Sequence, residues 1–577
     1  MRKWLAFALA WALILGGAYL AHSIQTAGGA VTVTEVTMPG EQGITLSGLL
    51  YTPKTATPAT PAPGILVSHG YINTREMQSP FAIELSRRGY VVLAMDMTGH
   101  GYSGGIVGQP GGFGGPAALK YLKGLPQVDK ANIGLEGHSM GGGPVMAAAV
   151  ADPDGYKSIV LVGSTPRLLP GTAAPENPRN LAVVFGQYDE FAPLMWGIPK
   201  GSQVATSKKL AKVFGVPGPI EVGKVYGDVA TGTARRLTNP RVTHPWEHFS
   251  QAGIGDTVDW FQQTLPAPAA KPPTDQVWLT KEIGTLISFI GMVGLILATF
   301  DLLLGLGPFK ALAEPAQPVV ERRGGRWWLS LVISAALPAL TYFPLMTVGQ
   351  AFFPMAPFPQ WIQNQLLVWA LGNAILILLI GLVLRSKPVF SNRWALSAAA
   401  AAMTMAVAYL SLVIVDAVFK TDYRFWVLGL KPLSLARAAE LPAYLVLWTL
   451  FFLVAIRSLC ANIAVKGEGF IAAISWAKIA MAMGFGVLVI WEYATLFTTG
   501  LLPTGPATAL NVIVAIQFVP LLGVIGVVGA FTYRRTNSYV PGALICALLI
   551  SWYVTSGTAN HWAPGFKPSL PGASARR

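Results

Sequence analysis

The chain contains little cysteine and little charge for its length. Among 577 residues there are only two cysteines, Cys460 and Cys546, which excludes a disulfide framework and a cysteine-based metal site. Charged residues make up 12% of the sequence, about half of their share in ordinary soluble domains. Hydrophobic residues make up 53%, and the mean hydropathy is +0.50. This composition excludes global disorder and predicts that lipid solvates much of the chain.

The charge that is present is mostly basic. The formal net charge is +14 at pH 7, which in a soluble protein would suggest a nucleic-acid partner. Here the lysines and arginines fall largely in short loops between apolar runs, as the positive-inside rule requires, and no basic helix or aromatic and basic repeat stands out. We therefore expect the lipid bilayer, and no nucleic acid, as a partner.

The N-terminal segment, residues 1–25, predicts a first membrane helix. Arg2 and Lys3 precede about eighteen nearly continuous apolar residues, enough to cross a hydrocarbon core of about 30 Å. Cleavage after Ala21 would require a small residue where Tyr19 stands. The pattern therefore favours an uncleaved signal anchor over a cleaved signal peptide, and both interpretations predict export of the residues that follow.

A different pattern runs through residues 26–265. Short β-rich runs alternate with Ala- and Leu-rich helical stretches and are separated by Gly, Pro and Asn. This alternation predicts an α/β domain with a mostly parallel sheet flanked by helices. The predicted strands are 64–68, 90–95, 132–136, 158–162 and 181–185.

Beyond this domain the sequence predicts a polytopic helical membrane region. A stretch rich in Pro and Ala within 266–280 lacks periodicity and predicts a linker. A bundle of about eight membrane helices is predicted within 281–558, followed by a C-terminal tail, 559–577. The apolar segments are approximately 283–305, 327–349, 362–384, 395–417, 440–457, 469–492, 509–531 and 540–558. With the anchor, nine spans are expected.

The loop charges predict the orientation of these spans. Alternation from a cytoplasmic N-terminus places the α/β domain and the C-terminus outside the cytoplasm. The basic residues expected inside are Lys310, Arg322, Arg323, Arg326, Arg385, Lys387, Arg393, Arg457, Lys466, Arg534 and Arg535. One outer loop fits poorly, because it carries Lys420, Arg424, Lys431 and Arg437. We interpret it as an amphipathic interfacial segment with Phe425 and Trp426.

The strongest local signal is a Gly-x-Ser-x-Gly pattern in the run GLEGHSMGGG. Its residues Gly137, His138, Ser139, Met140 and Gly141 follow a predicted strand and precede a helical run. Glycines two before and two after the serine permit the sharp turn from strand to helix that lifts the serine Oγ above the sheet. Here the sequence resembles the α/β-hydrolase family, and the resemblance covers about residues 30–265.

The resemblance implies the other parts of a serine hydrolase site. The run ILVSHGY implies an oxyanion hole formed by the backbone N–H groups of Tyr71 and Met140. The family's chain order of serine, acid and histidine implies an acid after the apolar run AVVFG, where Asp189 is preferred over Glu190. A histidine must also follow, because a serine hydroxyl is a weak nucleophile until a base takes its proton.

Two histidines compete for the role of the base. His244 directly follows the β-like residues 241–243, whereas residues 246–249 could already lead into a helix capped by Ser250. This favours His244. His248 remains the alternative base, or a lid, substrate-binding or structural histidine.

Other polar features predict less. His22, His69 and His561 show no paired spacing of metal ligands, so we expect no metal. His244 follows Asp189 by 55 positions, which leaves room for a lid. Two apolar segments between Asp189 and His244, MWGIP and KVFGVPGPI, predict either contact with an acyl chain or ordinary core packing.

Together these features predict an exported serine hydrolase domain attached to a membrane bundle. The expected reaction is the cleavage of an ester or thioester, of a lipid or an acylated envelope component, without a metal or organic cofactor. A serine peptidase or an acyltransferase would use the same triad. A transporter or receptor with a non-catalytic hydrolase-like domain is the alternative from a different class.

Overall fold

A computed structural model describes residues 1–166, 176–352, 357–383 and 393–561. The predicted cytoplasmic residues Arg385 and Lys387 and most of the predicted tail, 562–577, lie outside the described residues. Within the described ranges the chain forms an α/β domain and a helical bundle, as the sequence predicts.

The described part of the α/β domain is built on a nine-stranded sheet. Its strands are β1 (Val31–Pro39), β2 (Thr45–Pro53), β3 (Ala62–Ser68), β4 (Val91–Met95), β5 (Val128–His138), β6 (Ser158–Val162), β7 (Leu181–Val184), β8 (Val225–Tyr226) and β9 (Arg235–Thr238). The spatial order is β1-β2-β4-β3-β5-β6-β7-β9-β8, with β4, β3, β5, β6, β7 and β9 parallel. The loops that follow β3, β5, β7 and β9 therefore meet at one edge of the sheet.

Helices cover both faces of this sheet. The first helix of the chain, α1 (Arg2–Gln25), precedes the domain, and α2 (Ser79–Ser86), α3 (Gly115–Gly124), α4 (Gly142–Ala151), α5 (Ala192–Trp196), α6 (Lys208–Phe214) and α7 (Gln251–Thr264) belong to it. In β3, Leu66 packs in the core beneath α3 and α4, whereas Ile65 and Val67 pack in the core beneath α2 and α7. Because both faces of the central strands are buried, the sequences of these strands are continuous apolar runs.

The five predicted strands are present, with small shifts at their ends. The prediction that residues 241–243 are β-like is wrong, because β9 ends at Thr238. Pro240 follows shortly and has no N–H to donate to a neighbouring strand. The predicted cap is present, since Ser250 Oγ accepts a hydrogen bond from Gly253 N at the start of α7.

The bundle follows the α/β domain. Its helices are α8 (Trp278–Leu303), α9 (Gly325–Leu340), α10 (Tyr342–Gly349), α11 (Trp361–Val383), α12 (Trp394–Phe419), α13 (Leu435–Ile463), α14 (Phe470–Thr499), α15 (Ala509–Thr536) and α16 (Val540–Gly557). Among the described residues, eight helices including α1 are long and apolar enough to span a membrane. The predicted continuous span 327–349 is instead broken into α9 and α10, which meet at a 42° bend soon after Pro338.

The predicted linker 266–280 is shorter than expected and is held against the α/β domain. Helix α8 already begins at Trp278. The guanidinium of Arg88, which is buried, donates hydrogen bonds to the backbone oxygens of Pro272 and Asp275 at 2.6 and 2.9 Å. These contacts fix the path of the chain between the α/β domain and the helical bundle.

The poorly fitting loop between α12 and α13, predicted as an amphipathic interfacial segment, buries the side chains of Arg424, Lys431 and Arg437 in the structure. It forms a hairpin of β10 (Tyr423–Phe425) and β11 (Leu428–Leu430) that packs against the α/β domain. Lys431 Nζ lies 3.2 Å from a carboxylate oxygen of Glu76 in that domain, and Arg424 pairs with Asp422 at 2.7 Å. Neighbouring carboxylates, not lipid headgroups, therefore neutralise these buried cations.

The ends of the bundle far from the α/β domain carry the other basic loops. Lys3, at the start of α1, and Arg535, at the end of α15, both pair with Asp301 at the end of α8, at 3.3 and 3.4 Å. Nearby, Lys466 pairs with Glu321 at 2.9 Å. The N-terminus and these predicted cytoplasmic loops therefore lie on one side of the bundle.

Candidate active site

Ser139 occupies the sharp turn that the Gly-x-Ser-x-Gly pattern predicts. It lies between the end of β5 and the start of α4, with a backbone φ of +54°, which is strained for a residue with a side chain. A Cβ on Gly137 would lie 2.3 Å from the oxygen of Gly141, and a Cβ on Gly141 would lie 2.2 Å from the oxygen of Ser68. Glycine is therefore required at both positions for this tight turn.

The structure brings Asp189 and His244 together. Asp189 follows β7, and His244 begins a 3₁₀ turn, His244–Phe249, that follows β9. The Nδ1–H of His244 donates a hydrogen bond of 2.8 Å to Asp189 Oδ2, and both residues are buried. This bond fixes the ring's orientation and leaves Nε2 as the nitrogen that can accept a proton. Ser139 Oγ forms no hydrogen bond among the described residues. Hydrogen bonds between catalytic groups are often long until substrate binds.

The surroundings of His244 stabilise its protonated form. Burial alone would lower the pKa of His244, but the charge of Asp189, the hydrogen bond to Asp189 and the charge of Glu190 outweigh it and raise the pKa above its usual 6.5. An imidazolium formed by proton transfer from Ser139 would be stabilised in the same way.

Glu190, the weaker candidate for the acid, does not contact the ring of His244 in this way. Its Oε2 accepts a hydrogen bond from the backbone N of His244 at 2.8 Å, and its Oε1 accepts one from Tyr493 Oη in α14 at 2.8 Å. Burial and the neighbouring Asp189 charge raise the pKa of Glu190 to about 7. Glu190 therefore positions the backbone of the candidate base.

His248, the alternative base, has a different environment. Its Nδ1 lies 3.3 Å from Nε2 of His138, and its own Nε2 is buried without a hydrogen-bond partner among the described residues. Burial and the charges of His244 and Arg424 lower the pKa of His248 to about 3. This environment supports His244 as the base, an assignment that stays a prediction.

Glu247 is a candidate functional residue that the sequence analysis missed. Its Oε1 accepts a hydrogen bond from Gly186 N at 2.6 Å, and its Oε2 lies 3.8 Å from His244 Nδ1 and 3.5 Å from His138 Nε2. Burial and the charge of Asp189 raise the pKa of Glu247 well above its usual range, which favours the protonated form of Glu247. The available sequence signal is its position three residues after His244, on the same turn.

The same cluster contains atoms that could ligate a metal ion. One ligand atom from each of His138, His244 and Glu247 lies within 4.8 Å of the others. Because Asp189 already engages the ring of His244, a cation at this place would compete with the acid for that histidine. Metal binding and the Ser-His-Asp arrangement are therefore alternative uses of His244.

The predicted oxyanion residues lie beside Ser139. Tyr71 follows His69 and Gly70 after β3, and a Cβ on Gly70 would lie 3.0 Å from Ser139 Cβ. In the described part of the chain, the backbone amide of Tyr71 donates no hydrogen bond, and Met140 directly follows Ser139. The Tyr71 and Met140 amides stay the candidates for the oxyanion donors.

The loops that carry the candidate catalytic groups also contact the membrane bundle, which the sequence analysis did not predict. Tyr71 Oη lies 2.6 Å from Nε2 of His561 after α16, Glu190 Oε1 accepts from Tyr493 of α14, and Trp426 Nε1 donates to the oxygen of Pro245 at 2.6 Å. These partners are far apart in the chain, so no local pattern reveals them. The active-site edge of the sheet faces the bundle.

The predicted lid segments pack in the core of the α/β domain. Met195, Trp196 and Ile198 of MWGIP are buried there, as are Phe214 and Ile220 of KVFGVPGPI. Of the two interpretations, contact with an acyl chain and ordinary core packing, the second describes these side chains.

Comparisons with known proteins agree with this architecture. Residues 63–193 match a family model described as the α/β hydrolase fold, whereas no curated protein sequence matches the chain. Similar solved structures include a hypothetical protein from Pseudomonas aeruginosa, which is 17% identical with a TM-score of 0.30, over 41% of this chain and 94% of that chain. A bacterial heroin esterase is 17% identical with a TM-score of 0.30, over 41% of this chain and 85% of that chain. A Pyrococcus furiosus esterase is 19% identical with a TM-score of 0.31, over 41% of this chain and 95% of that chain. With the sheet order and the elbow at Ser139, the family match over residues 63–193 shows that the N-terminal domain of this chain has the α/β-hydrolase fold.

Proposed function

We propose that this protein is a membrane-embedded serine hydrolase that cleaves carboxylic esters or thioesters of lipids or acylated envelope components. The observation that carries the proposal is the 2.8 Å hydrogen bond from His244 to Asp189, at the sheet edge where Ser139 occupies a strained elbow. Ser139, His244 and Asp189 lie on three separate loops at that edge, and a nucleophile, a base and an acid are the groups that acyl transfer through a serine requires.

The proposed mechanism assigns one task to each group. Ser139 Oγ attacks the substrate carbonyl while His244 Nε2 takes the hydroxyl proton, and the backbone amides of Tyr71 and Met140 stabilise the oxyanion. His244 then passes the proton to the leaving alkoxide or thiolate, which leaves an acyl group on Ser139. Water, activated by His244, releases the acid product, and Asp189 holds the imidazole in the required tautomer throughout.

A serine-directed probe tests this proposal. Full-length protein in detergent should react with a fluorophosphonate, and mass spectrometry should locate the adduct on Ser139. Ser139→Ala should abolish the adduct. Ser164→Ala is the matched control, because Ser164 Oγ donates to the backbone oxygen of Ser139 at 2.6 Å but has no catalytic task in the mechanism. An adduct that persists in Ser139→Ala would contradict the proposal, and cleavage of peptide amides without ester turnover would indicate a peptidase.

We further propose that the hydrolase domain lies outside the cytoplasm. Arg2 and Lys3 begin α1, and Lys3 lies beside Asp301 and Arg535 on the side of the bundle away from the domain. The positive-inside rule assigns that side to the cytoplasm. Protease added to intact, wall-stripped cells should digest the domain, whereas a cytoplasmic reporter protein should survive. Protection of the domain until the cells are lysed would refute this orientation.

A further inference from the structure

A cavity lies between the α/β domain and the bundle. On one side it is lined by the loop after β3, and on the other side by helices α11, α15 and α16. The lining includes Ile72, Asn73 and Thr74 of the loop and Leu366, Phe518 and Ile550 of the helices. The proposed mechanism does not use this space.

The cavity lies next to the candidate nucleophile. Asn73, on its wall, is two residues after Tyr71, which supplies one proposed oxyanion amide. A Cβ on Gly70 would lie 3.0 Å from Ser139 Cβ and 3.5 Å from Asn73 Nδ2, so the loop after β3 contacts Ser139 and also forms part of the cavity wall. The cavity and Ser139 are therefore neighbours across this loop.

Three polar side chains on the cavity wall already have partners in the protein. Tyr553 Oη donates to Oε1 of Gln517. Arg424 and Lys431 pair with the carboxylates of Asp422 and Glu76, respectively. An occupant therefore need not supply a hydrogen bond to Tyr553 Oη or a charge to Arg424 and Lys431.

The rest of the helical wall is hydrocarbon. Leu366, Phe518, Leu521 and Ile550 are buried and come from helices that are candidate membrane spans. Apolar walls with a few satisfied polar groups bind apolar ligands. A fatty acyl chain drawn from a bilayer has this character and approaches from this side of the molecule.

We propose that this cavity binds the long acyl chain of a lipid ester while the ester carbonyl lies at Ser139. This inference rests on the proposed serine hydrolase function and adds the substrate class and the location of its chain. The bundle then forms part of the substrate site, in addition to anchoring the domain. Acetyl esters would need only the site at Ser139, whereas dodecanoyl esters would also occupy the cavity.

Cross-linking in the unmodified protein tests the location of the chain. The probe is a dodecyl fluorophosphonate that carries a diazirine at the far end of its alkyl chain. After reaction with Ser139 and irradiation, cross-links should map to α11, α15 or α16. Cross-links confined to the α/β domain or to lipid-facing side chains would overturn the inference while leaving the hydrolase proposal intact. Failure of Ser139 to react at all would overturn both.

A pair of substitutions on one helix gives a second test. Leu366→Trp should fill part of the cavity and lower the ratio of kcat/KM for dodecanoyl over acetyl p-nitrophenyl esters by about tenfold or more. Leu378→Trp is the matched control, because Leu378 lies on the same helix but is 48% exposed, and it should leave the ratio unchanged. An unchanged ratio in folded Leu366→Trp would overturn the inference, and if this variant fails to fold, the cross-linking result decides.

Discussion

Replacement of His244 by alanine should lower kcat for ester hydrolysis by about 10³-fold or more, because Ser139 then loses the base that takes its proton. His248→Gln should remain within about tenfold of the unmodified protein, since His248 lies against His138 and forms no hydrogen bond with a described carboxylate. The measurement is kcat with p-nitrophenyl butyrate for full-length protein in detergent. The opposite ranking of the two variants would transfer the role of the base to His248.

The pH profile of the unmodified enzyme supplies an independent check on the same assignment. A general base must be neutral before it can accept a proton, so protonation at low pH removes activity. Because the pKa of His244 is raised above 6.5, kcat/KM should fall as the pH drops through an apparent pKa above that value. If His248 were the base, its pKa of about 3 would leave the activity flat through pH 5 to 6. A flat profile in that range would therefore contradict His244.

The parts of the site that the sequence predicts are those that depend on local patterns and on chain order. The elbow at Ser139 requires glycines at fixed offsets, so the motif itself encodes the turn. Asp189 follows an apolar strand, and parallel strands deliver the loops at their carboxyl ends to one edge. The preference for His244 rested partly on a strand at 241–243 that the structure does not contain. The structure supports the same residue for another reason, its 2.8 Å bond to Asp189.

The contacts between distant segments were beyond sequence reasoning. In the sequence, Glu247 is an ordinary polar residue near a predicted helix start. Only the folded chain shows that it is buried beside His138 and His244. His561 follows the last apolar span, and nothing near it in the sequence points to Tyr71. Packing within the α/β domain places Glu247, and packing of that domain on the bundle places His561 beside Tyr71. No periodicity or spacing in the sequence records either kind of packing.

The basic loop between α12 and α13 shows why loop charge alone was misleading. The positive-inside rule treats each lysine or arginine as exposed to water or lipid headgroups. Lys431 is buried instead, and the Glu76 carboxylate compensates its charge. A buried ion pair between two parts of one chain carries little information about sidedness. The other basic loops, at the ends of the bundle far from the α/β domain, are those whose charge bears on the orientation of the spans in the membrane.

Asp189→Asn should lower kcat by about 10⁴-fold, the largest effect expected for any substitution that preserves side-chain shape here. The amide cannot stabilise the imidazolium by charge, and its N–H group can turn towards Nδ1, which favours the tautomer with Nε2 protonated and unable to accept a proton. Glu247 cannot take over, because its Oε2 lies 3.8 Å from His244 Nδ1, compared with 2.8 Å for Asp189. Stopped-flow measurement of ester turnover, with thermal unfolding as a check on folding, provides the comparison.

Glu247→Gln is the matched control for this acid. Burial and the Asp189 charge raise the pKa of Glu247 well above its usual range, so its protonated form is favoured and an amide resembles that form. The amide oxygen can still accept the hydrogen bond from Gly186 N. We therefore expect kcat to stay within about tenfold of the unmodified enzyme. If Glu247→Gln lost activity by orders of magnitude while Asp189→Asn retained it, the acid that orients His244 would be Glu247.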